Sequence, residues 1–208
     1  MTRRSLSFAA FALAAALLAQ PTLSPAAQDP AAFVTQLEGQ GMQALNLPPG
    51  QRTARLAQLF RADFDVPEIG RFVLGRYWNS FNPQQQQEFM GLFEQFTAHA
   101  YAERLGRYAG SPFQITGTRN VDGTSVVSSE LNRSNGPPVR VDWHLADRGG
   151  RYVVTDVVLD GVSMRVTERN EFAGIIQRNN NRPDAILAVL RQQLQQAGSG
   201  YGSSGPRQ

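Results

Sequence analysis

The sequence predicts an α+β fold in which helices pack on one face of a curved antiparallel sheet. Up to Gly110, apolar residues recur at the spacing of helices. Beyond Gly110, short β-branched runs alternate with turn residues, and two more helical segments then follow. Because helices and strands are grouped along the chain and do not alternate, we expect a single meandering sheet of about four strands.

Each helix of the first half is predicted from a local start signal and an apolar period. Asp29-Pro30 and Asn82-Pro83 each place a capping side chain before a proline at the first helical position. A second helix is expected around 56–60 and a third from about 66 to 77, and the fourth and longest is expected from 83 to about 108. The two helices after the strands are expected at 165–178 and 183–196.

Four strands are predicted at 113–119, 124–132, 139–146 and 151–160, joined by turns at Asp122-Gly123, 135–136 and 149–150. In the third strand, one face is apolar and the opposite face is polar. The apolar face consists of Val139, Val141, Trp143 and Leu145, and the polar face consists of Arg140, Asp142 and His144. The fourth strand is apolar on both faces, so we expect it to be covered on both sides.

The N-terminus has the pattern of a signal peptide over residues 1–26. Arg3 and Arg4 precede an apolar run over 8–19 that is too short to span a bilayer, and Ser24-Pro25-Ala26 supplies a cleavage site of small residues. We expect a secreted chain with one domain over 27–196. A Gly/Ser-rich tail over 197–208 is expected to be disordered.

The composition excludes several classes of function. The chain has no Cys and no Lys, which excludes disulfides, thiolate metal sites and Schiff-base chemistry. Of the 20 basic side chains, all Arg, two lie in the leader, so the mature chain carries 18 against 17 acidic residues. A balance of +1 without a basic stripe argues against nucleic-acid binding. Two isolated His make a poor metal site, and no cofactor is expected.

Several ordered motifs carry a resemblance to a known family. They are 72–78 (FVLGRYW), 82–89 (NPQQQQEF) with Phe93 and Tyr101, 136–142 (GPPVRVD), 152–156 (YVVTD) and 160–164 (DGVSM) before Glu171-Phe172. Their order and spacing over about residues 30–195 resemble the MlaC-like, or toluene-tolerance, family of periplasmic phospholipid-binding proteins. Within it, 66–71 (VPEIGR) and 169–172 (RNEF) are similar to a branch associated with hopanoid biosynthesis, HpnM.

The resemblance implies an NTF2-like fold that encloses acyl chains in an apolar cavity. It also implies a periplasmic carrier that moves phospholipid or a hopanoid between an inner-membrane ABC transporter complex and an outer-membrane lipoprotein. The family transfers no catalytic residue. A two-tailed lipid needs an enclosed cavity, because at about 0.8 kcal/mol per methylene its exposed tails cost on the order of 20 kcal/mol.

Large side chains on the third and fourth helices and on the sheet are the candidate lipid-binding residues. For each of them, a place in an ordinary filled core is the simpler interpretation, since every packed helix shows an apolar stripe. Asp156, on a largely apolar strand, is assigned a structural role, either paired with an Arg or capping a loop. The candidates are Phe72, Val73, Arg76, Tyr77, Trp78, Phe89, Phe93, Phe96, Trp143 and Val157.

Two other functions fit the same fold class. One is a periplasmic interaction or assembly module that holds no lipid. The other is a small enzyme in which Asp142 and His144 act as acid and base. Strand alternation argues against the enzyme, because this pair shares the face opposite Trp143.

Overall fold

The computed structural model describes residues 29–106, 111, 113–133 and 136–202. Six α-helices and a five-stranded antiparallel sheet build this part of the chain, in the order α1 (Pro30–Leu45), α2 (Pro49–Asp63), α3 (Val66–Leu74), a 3₁₀ helix (Gly75–Ser80), α4 (Pro83–Gly106), β1 (Phe113–Val121), β2 (Thr124–Leu131), β3 (Val139–Asp147), β4 (Tyr152–Leu159), β5 (Val162–Ser163), α5 (Met164–Arg178) and α6 (Ala185–Gly202). The predicted α+β class is confirmed.

The helix starts follow the capping signals of the sequence. The side chain of Asp29 accepts hydrogen bonds from the backbone amides of Ala31 and Ala32 at the start of α1. At α4, the backbone amide of Gln85 donates to Asn82 Oδ1 (2.9 Å), and the backbone amide of Asn82 donates to Gln85 Oε1 (3.0 Å). This reciprocal pair is a capping box, so the start of α4 is set locally by four residues of sequence.

The strands run in sequence order, β1-β2-β3-β4-β5, and every neighbour is antiparallel. Asp122 and Gly123 both have positive φ angles (50° and 82°), as a two-residue hairpin turn requires. Register shifts lie between Ile115 and Gly117 in β1 and between His144 and Leu145 in β3, and such bulges bend a strand. The sheet therefore curls around the helices that cover it.

The structure differs from the sequence-based expectations in four elements. Helix α2 spans Pro49–Asp63 and is longer than the short helix expected around 56–60. The third helix ends at Leu74 because Gly75 takes a φ of 53° and a ψ of −125°, and a 3₁₀ turn replaces the expected continuation to 77. Asp160 and Gly161, at φ values of 47° and 85°, form a hairpin turn that adds the unpredicted strand β5. Helix α6 continues beyond 196 to Gly202, since isolated glycines weaken a helix by only about 1 kcal/mol each. The predicted signal peptide (1–26) and residues 203–208 lie outside the described residues.

The helices and the sheet enclose separate apolar clusters. The larger cluster lies between helices and joins side chains of α2 to α6, including Phe89, Phe172 and Leu190. A second cluster packs α1 on the sheet and joins Phe33 and Leu37 to strand residues. Within the described residues, no helix combines the length and the hydropathy needed to cross a bilayer. The space between these two clusters is the position of the site described next.

Candidate functional site

A cavity of about 200 Å³ lies between the inner face of the sheet and the covering helices. One water molecule needs only about 10–15 Å³ on such a measure, so this is a ligand-sized space inside the fold. Its wall is largely apolar and takes side chains from α1 to α5 and from strands β1 to β4. The apolar wall includes Leu37, Met42, Leu45, Leu56, Leu59, Phe60, Phe64, Ile69, Ala98, Phe113, Leu131, Val141, Leu159 and Met164.

Helix α4 presents a stripe with a strict spacing of four residues to the cavity. The stripe consists of Phe93, Thr97, Tyr101 and Leu105, all of which line the wall. Burial, followed by the charge of Glu168, raises the pKa of Tyr101, so its phenol stays neutral. The stripe therefore contributes an apolar surface with two hydroxyl groups and no charge.

Trp143 forms the central part of the sheet wall and is held by a buried polar triad. Its Nε1 lies 3.1 Å from both Glu38 Oε1 and Ser129 Oγ, and Ser129 Oγ donates to the same carboxylate oxygen at 2.6 Å. Glu38 and Ser129 are buried. Burial raises the pKa of Glu38, and the hydrogen bonds from Ser129 and Trp143 oppose this rise. The triad fixes α1 to the sheet and fixes the orientation of the indole ring on the cavity wall.

A second polar group lines the cavity where β4 leads into α5. Asp156 accepts hydrogen bonds from Ser163 Oγ (2.5 Å) and from the backbone amides of Val157 (2.9 Å) and Arg165 (3.1 Å). The guanidinium of Arg165 also lies 3.6 Å from this carboxylate. Asp156 is thus both paired with an Arg and part of the cap of α5, as the sequence led us to expect.

Glu168 is the most perturbed carboxyl on the wall. Its side chain is 6% exposed. Burial, and to a smaller extent the charge of Glu171, raise its pKa to about 7 against the opposing charge of Arg104. Among the described residues, no group of three or more acidic or His side chains has a metal-binding arrangement.

The family model described as MlaC protein matches residues 37–192, which contain almost the whole of the wall. The chain belongs to the MlaC family. This confirms the resemblance found in the sequence motifs, while the hopanoid-associated branch stays a prediction.

Two curated proteins and one solved structure are similar to this MlaC-family chain. "Intermembrane phospholipid transport system binding protein MlaC" of Haemophilus influenzae is 26% identical over 132 residues, which are 61% of this chain and 61% of that protein. "Toluene tolerance protein ttg2D" of Pseudomonas putida is 25% identical over 180 residues, or 82% of this chain and 84% of that protein. The structure of the phospholipid-binding protein from Ralstonia solanacearum in complex with a phospholipid matches with a TM-score of 0.69 and 22% identity, covering 82% of this chain and 99% of that one. The chain thus spans less than two thirds of the Haemophilus protein, and the Ralstonia structure supports the fold.

Three candidate residues of this MlaC-family chain, Phe93, Trp143 and Val157, lie on the cavity wall. The other seven lie elsewhere. Val73 and Phe89 are buried in the interhelical cluster, and Tyr77, Trp78 and Phe96 pack against it. These five were expected at the cavity, but their helix faces meet other helices, and one amphipathic stripe looks the same in both environments.

Phe72 and Arg76 also lie off the wall. The guanidinium groups of Arg165 and Arg169 lie 4.5 and 5.1 Å from the centre of the Phe72 ring, so this ring makes cation–π contacts with both side chains. Arg76 is exposed, and its Nη2 donates to Tyr77 Oη at 2.8 Å. A role of Arg76 at the cavity is therefore not supported.

The polar groups of the wall were missed in the sequence, apart from Asp156. Glu38, Thr97 and Glu168 lie on helices whose patterns do not distinguish buried from exposed polar positions. The one usable signal is the four-residue spacing from Phe93 to Leu105, which aligns Thr97 and Tyr101 with two apolar residues on a single helix face.

Asp142, proposed with His144 as an alternative acid-base pair, is instead bound to neighbouring polar side chains. Asp142 Oδ1 accepts from Ser128 Oγ at 2.5 Å, and Arg119 and Arg140 approach Asp142 within 3.3 and 3.1 Å. Burial alone would raise the pKa of Asp142, but the hydrogen bonds from Ser128 and Arg119 hold it below its ordinary value. Neither Asp142 nor His144 lines the cavity. An ionised Asp142 whose carboxylate is in contact with Ser128, Arg119 and Arg140 is a poor base, which weakens the enzyme hypothesis.

Proposed function

We propose that this chain is a periplasmic carrier that binds the acyl chains of a phospholipid in the cavity and moves the lipid between the inner and outer membranes. The observation that carries the proposal is the hollow apolar space between helices and sheet, where a filled core would leave no room for cargo. A largely apolar wall with few polar groups is the chemistry that acyl chains require. The names of the relatives support phospholipid as the cargo.

The proposed partners follow from the same family membership. An inner-membrane ABC transporter complex and an outer-membrane lipoprotein would exchange lipid with the carrier, and a hopanoid is the alternative cargo. Membranes that contain the cognate transporter should retain the protein in a pull-down, and membranes from a strain lacking the transporter should not. Equal retention by both membranes would refute the partnership.

The carrier function is tested by filling the cavity from α1. Gly41 lies on the wall, and a Cβ at this position would meet no atom within 4 Å. Since a cavity of about 150 Å³ holds one benzene ring, the phenyl group of Gly41→Phe occupies most of this space. The matched control is Gly39→Phe on the same helix, where a Cβ also meets nothing but the residue is exposed and off the wall.

Both variants should fold, because replacing a glycine inside a helix removes a cost of about 0.5–1 kcal/mol. The proteins are purified from periplasmic extracts without detergent and analysed by native mass spectrometry, followed by organic extraction. We expect phospholipid in the wild type and in Gly39→Phe and a loss of bound lipid in Gly41→Phe. A wild-type protein that is empty, and stays empty after incubation with phospholipid vesicles, would instead favour an interaction module without cargo.

A further inference from the structure

Three buried polar atoms on the cavity wall have no hydrogen-bond partner among the described residues. They are Thr97 Oγ1, Arg165 Nε and Glu168 Oε2. All three side chains line the cavity, and the exposed fractions of Thr97 and Glu168 are 5% and 6%. A buried polar group without a partner is destabilising, and plain acyl chains supply no partner. The cavity thus has more hydrogen-bonding capacity than a carrier of saturated chains needs.

Thr97 and Glu168 lie where α4 and α5 face the cavity. Phe93, one turn before Thr97, and Phe172, one turn after Glu168, have ring centres 6.1 Å apart, so the two helices meet beside these residues. Burial, and then the charge of Glu168, raise the pKa of Tyr101, which lies one turn after Thr97. The unpartnered atoms of Thr97 and Glu168 therefore belong to adjoining parts of one wall.

The charges around this stretch decide which ligand group fits. A phosphate would lie beside the carboxylates of Asp156 and Glu168, with Glu171 close enough to raise the pKa of Glu168, and the one positive charge among the described residues of the wall, Arg165, is shared with Asp156 at 3.6 Å, so an anion is disfavoured. Arg165 Nε keeps an unused donor, which a neutral acceptor satisfies, so a full positive charge on the ligand is not required either. A neutral hydroxyl both donates and accepts, and can bond the Glu168 carboxyl in either protonation state.

We propose that Thr97 and Glu168 form a subsite for a hydroxyl group on the apolar body of a lipid. The proposal rests on the carrier function proposed above and adds the chemical class of the cargo, namely a lipid hydroxylated on the part that enters the cavity. Phosphate-containing head groups remain outside this stretch of the wall.

The test compares lipids that differ only in hydroxyl groups. Lipid-stripped protein is offered equal amounts of a phosphatidylglycerol with two octadecanoyl chains and of one with 2-hydroxy- or 12-hydroxyoctadecanoyl chains, and native mass spectrometry gives the ratio of the two complexes. We expect a preference of about tenfold for at least one hydroxylated lipid, the size of one added hydrogen bond. In Thr97→Val and in Glu168→Leu the preference should fall to about twofold or less.

The control Thr35→Val changes an exposed threonine of α1 and should keep the wild-type preference. Thr97→Val is nearly isosteric, so it carries the test alone if Glu168→Leu fails to fold. Equal binding of both lipids by the wild type would overturn the subsite and leave the carrier function intact. It would mean that water is the partner of these atoms. A preference that survives in Thr97→Val and Glu168→Leu would also overturn it. A protein that binds neither lipid fails the carrier function itself.

Discussion

Replacing Glu168 by Gln tests how burial in the cavity wall affects stability. In the unfolded chain this carboxyl titrates near its ordinary value of 4.5, whereas burial raises its pKa to about 7 in the folded protein. Between these values the folded state holds a proton that the unfolded state has released. The free energy of unfolding therefore falls as the pH rises through this window and is level above it.

The size of the effect follows from the shift. A rise of the pKa from 4.5 to about 7 corresponds to about 3 kcal/mol of stability that is present below the window and lost above it. Glutamine keeps the shape of the side chain and carries no charge, so Glu168→Gln lacks this loss. The stability of the variant relative to wild type should increase by about 3 kcal/mol between about pH 4 and about pH 8.

Urea unfolding of lipid-free protein at several pH values measures this difference. Taking the difference between variant and wild type cancels the titration of groups that do not interact with Glu168, including Glu38 and Asp63, whose pKa values burial also raises. The control Glu103→Gln changes an exposed carboxyl of α4 and should show no comparable pH dependence. A difference for Glu168→Gln that is the same at every pH would refute the assignment of a buried, destabilised charge.

Two further substitutions test the contacts that shape the cavity. Trp143→Phe removes the indole N–H that donates to Glu38 and should lower the free energy of unfolding, measured in urea, by about 1–2 kcal/mol. The control is Trp78→Phe, because Trp78 has no contact with Glu38. Equal losses in the two variants would contradict a specific role of this hydrogen bond. Gly75→Ala places a residue with a side chain at a φ of 53° and a ψ of −125°, and should lower the melting temperature through a loss of about 1–3 kcal/mol in stability. Gly91→Ala, in the middle of α4 where a Cβ meets no atom, should raise the melting temperature. An unchanged melting temperature in Gly75→Ala would show that the end of α3 does not need this conformation.

The elements that sequence predicted well are those determined by near neighbours. The starts of α1 and α4 depend on Asp29 and Asn82 bonding amides within three residues. The face of β3 that carries Trp143 follows from alternation, and Val141 and Leu145 on that face are buried. Such signals lie within one segment of chain, so no knowledge of the tertiary structure is needed to interpret them.

The cavity wall could be predicted only in part, because the wall is defined by contacts between distant segments. Phe89 and Phe93 lie one turn apart and their rings stack at 5.6 Å, yet Phe93 reaches the cavity and Phe89 does not. The rings of Trp78 and Phe81 lie 6.5 and 6.3 Å from that of Phe89 and cover it, whereas Phe172 lies 6.1 Å from both phenylalanines. Glu38 shows the same limit, since its partners Ser129 and Trp143 lie on strands far along the chain.

The unfilled space also has a consequence for folding energetics. At about 24 cal/mol per Å³, a void of about 200 Å³ costs the empty protein about 5 kcal/mol relative to a fold packed solid. This is comparable with the entire net stability of many domains, which is about 5–15 kcal/mol. A ligand that fills the void restores the missing packing contacts, and this adds to its affinity. The empty protein is therefore less stable than the filled protein. For the proposed carrier, release of a bound lipid is therefore uphill unless another surface stabilises the emptied form.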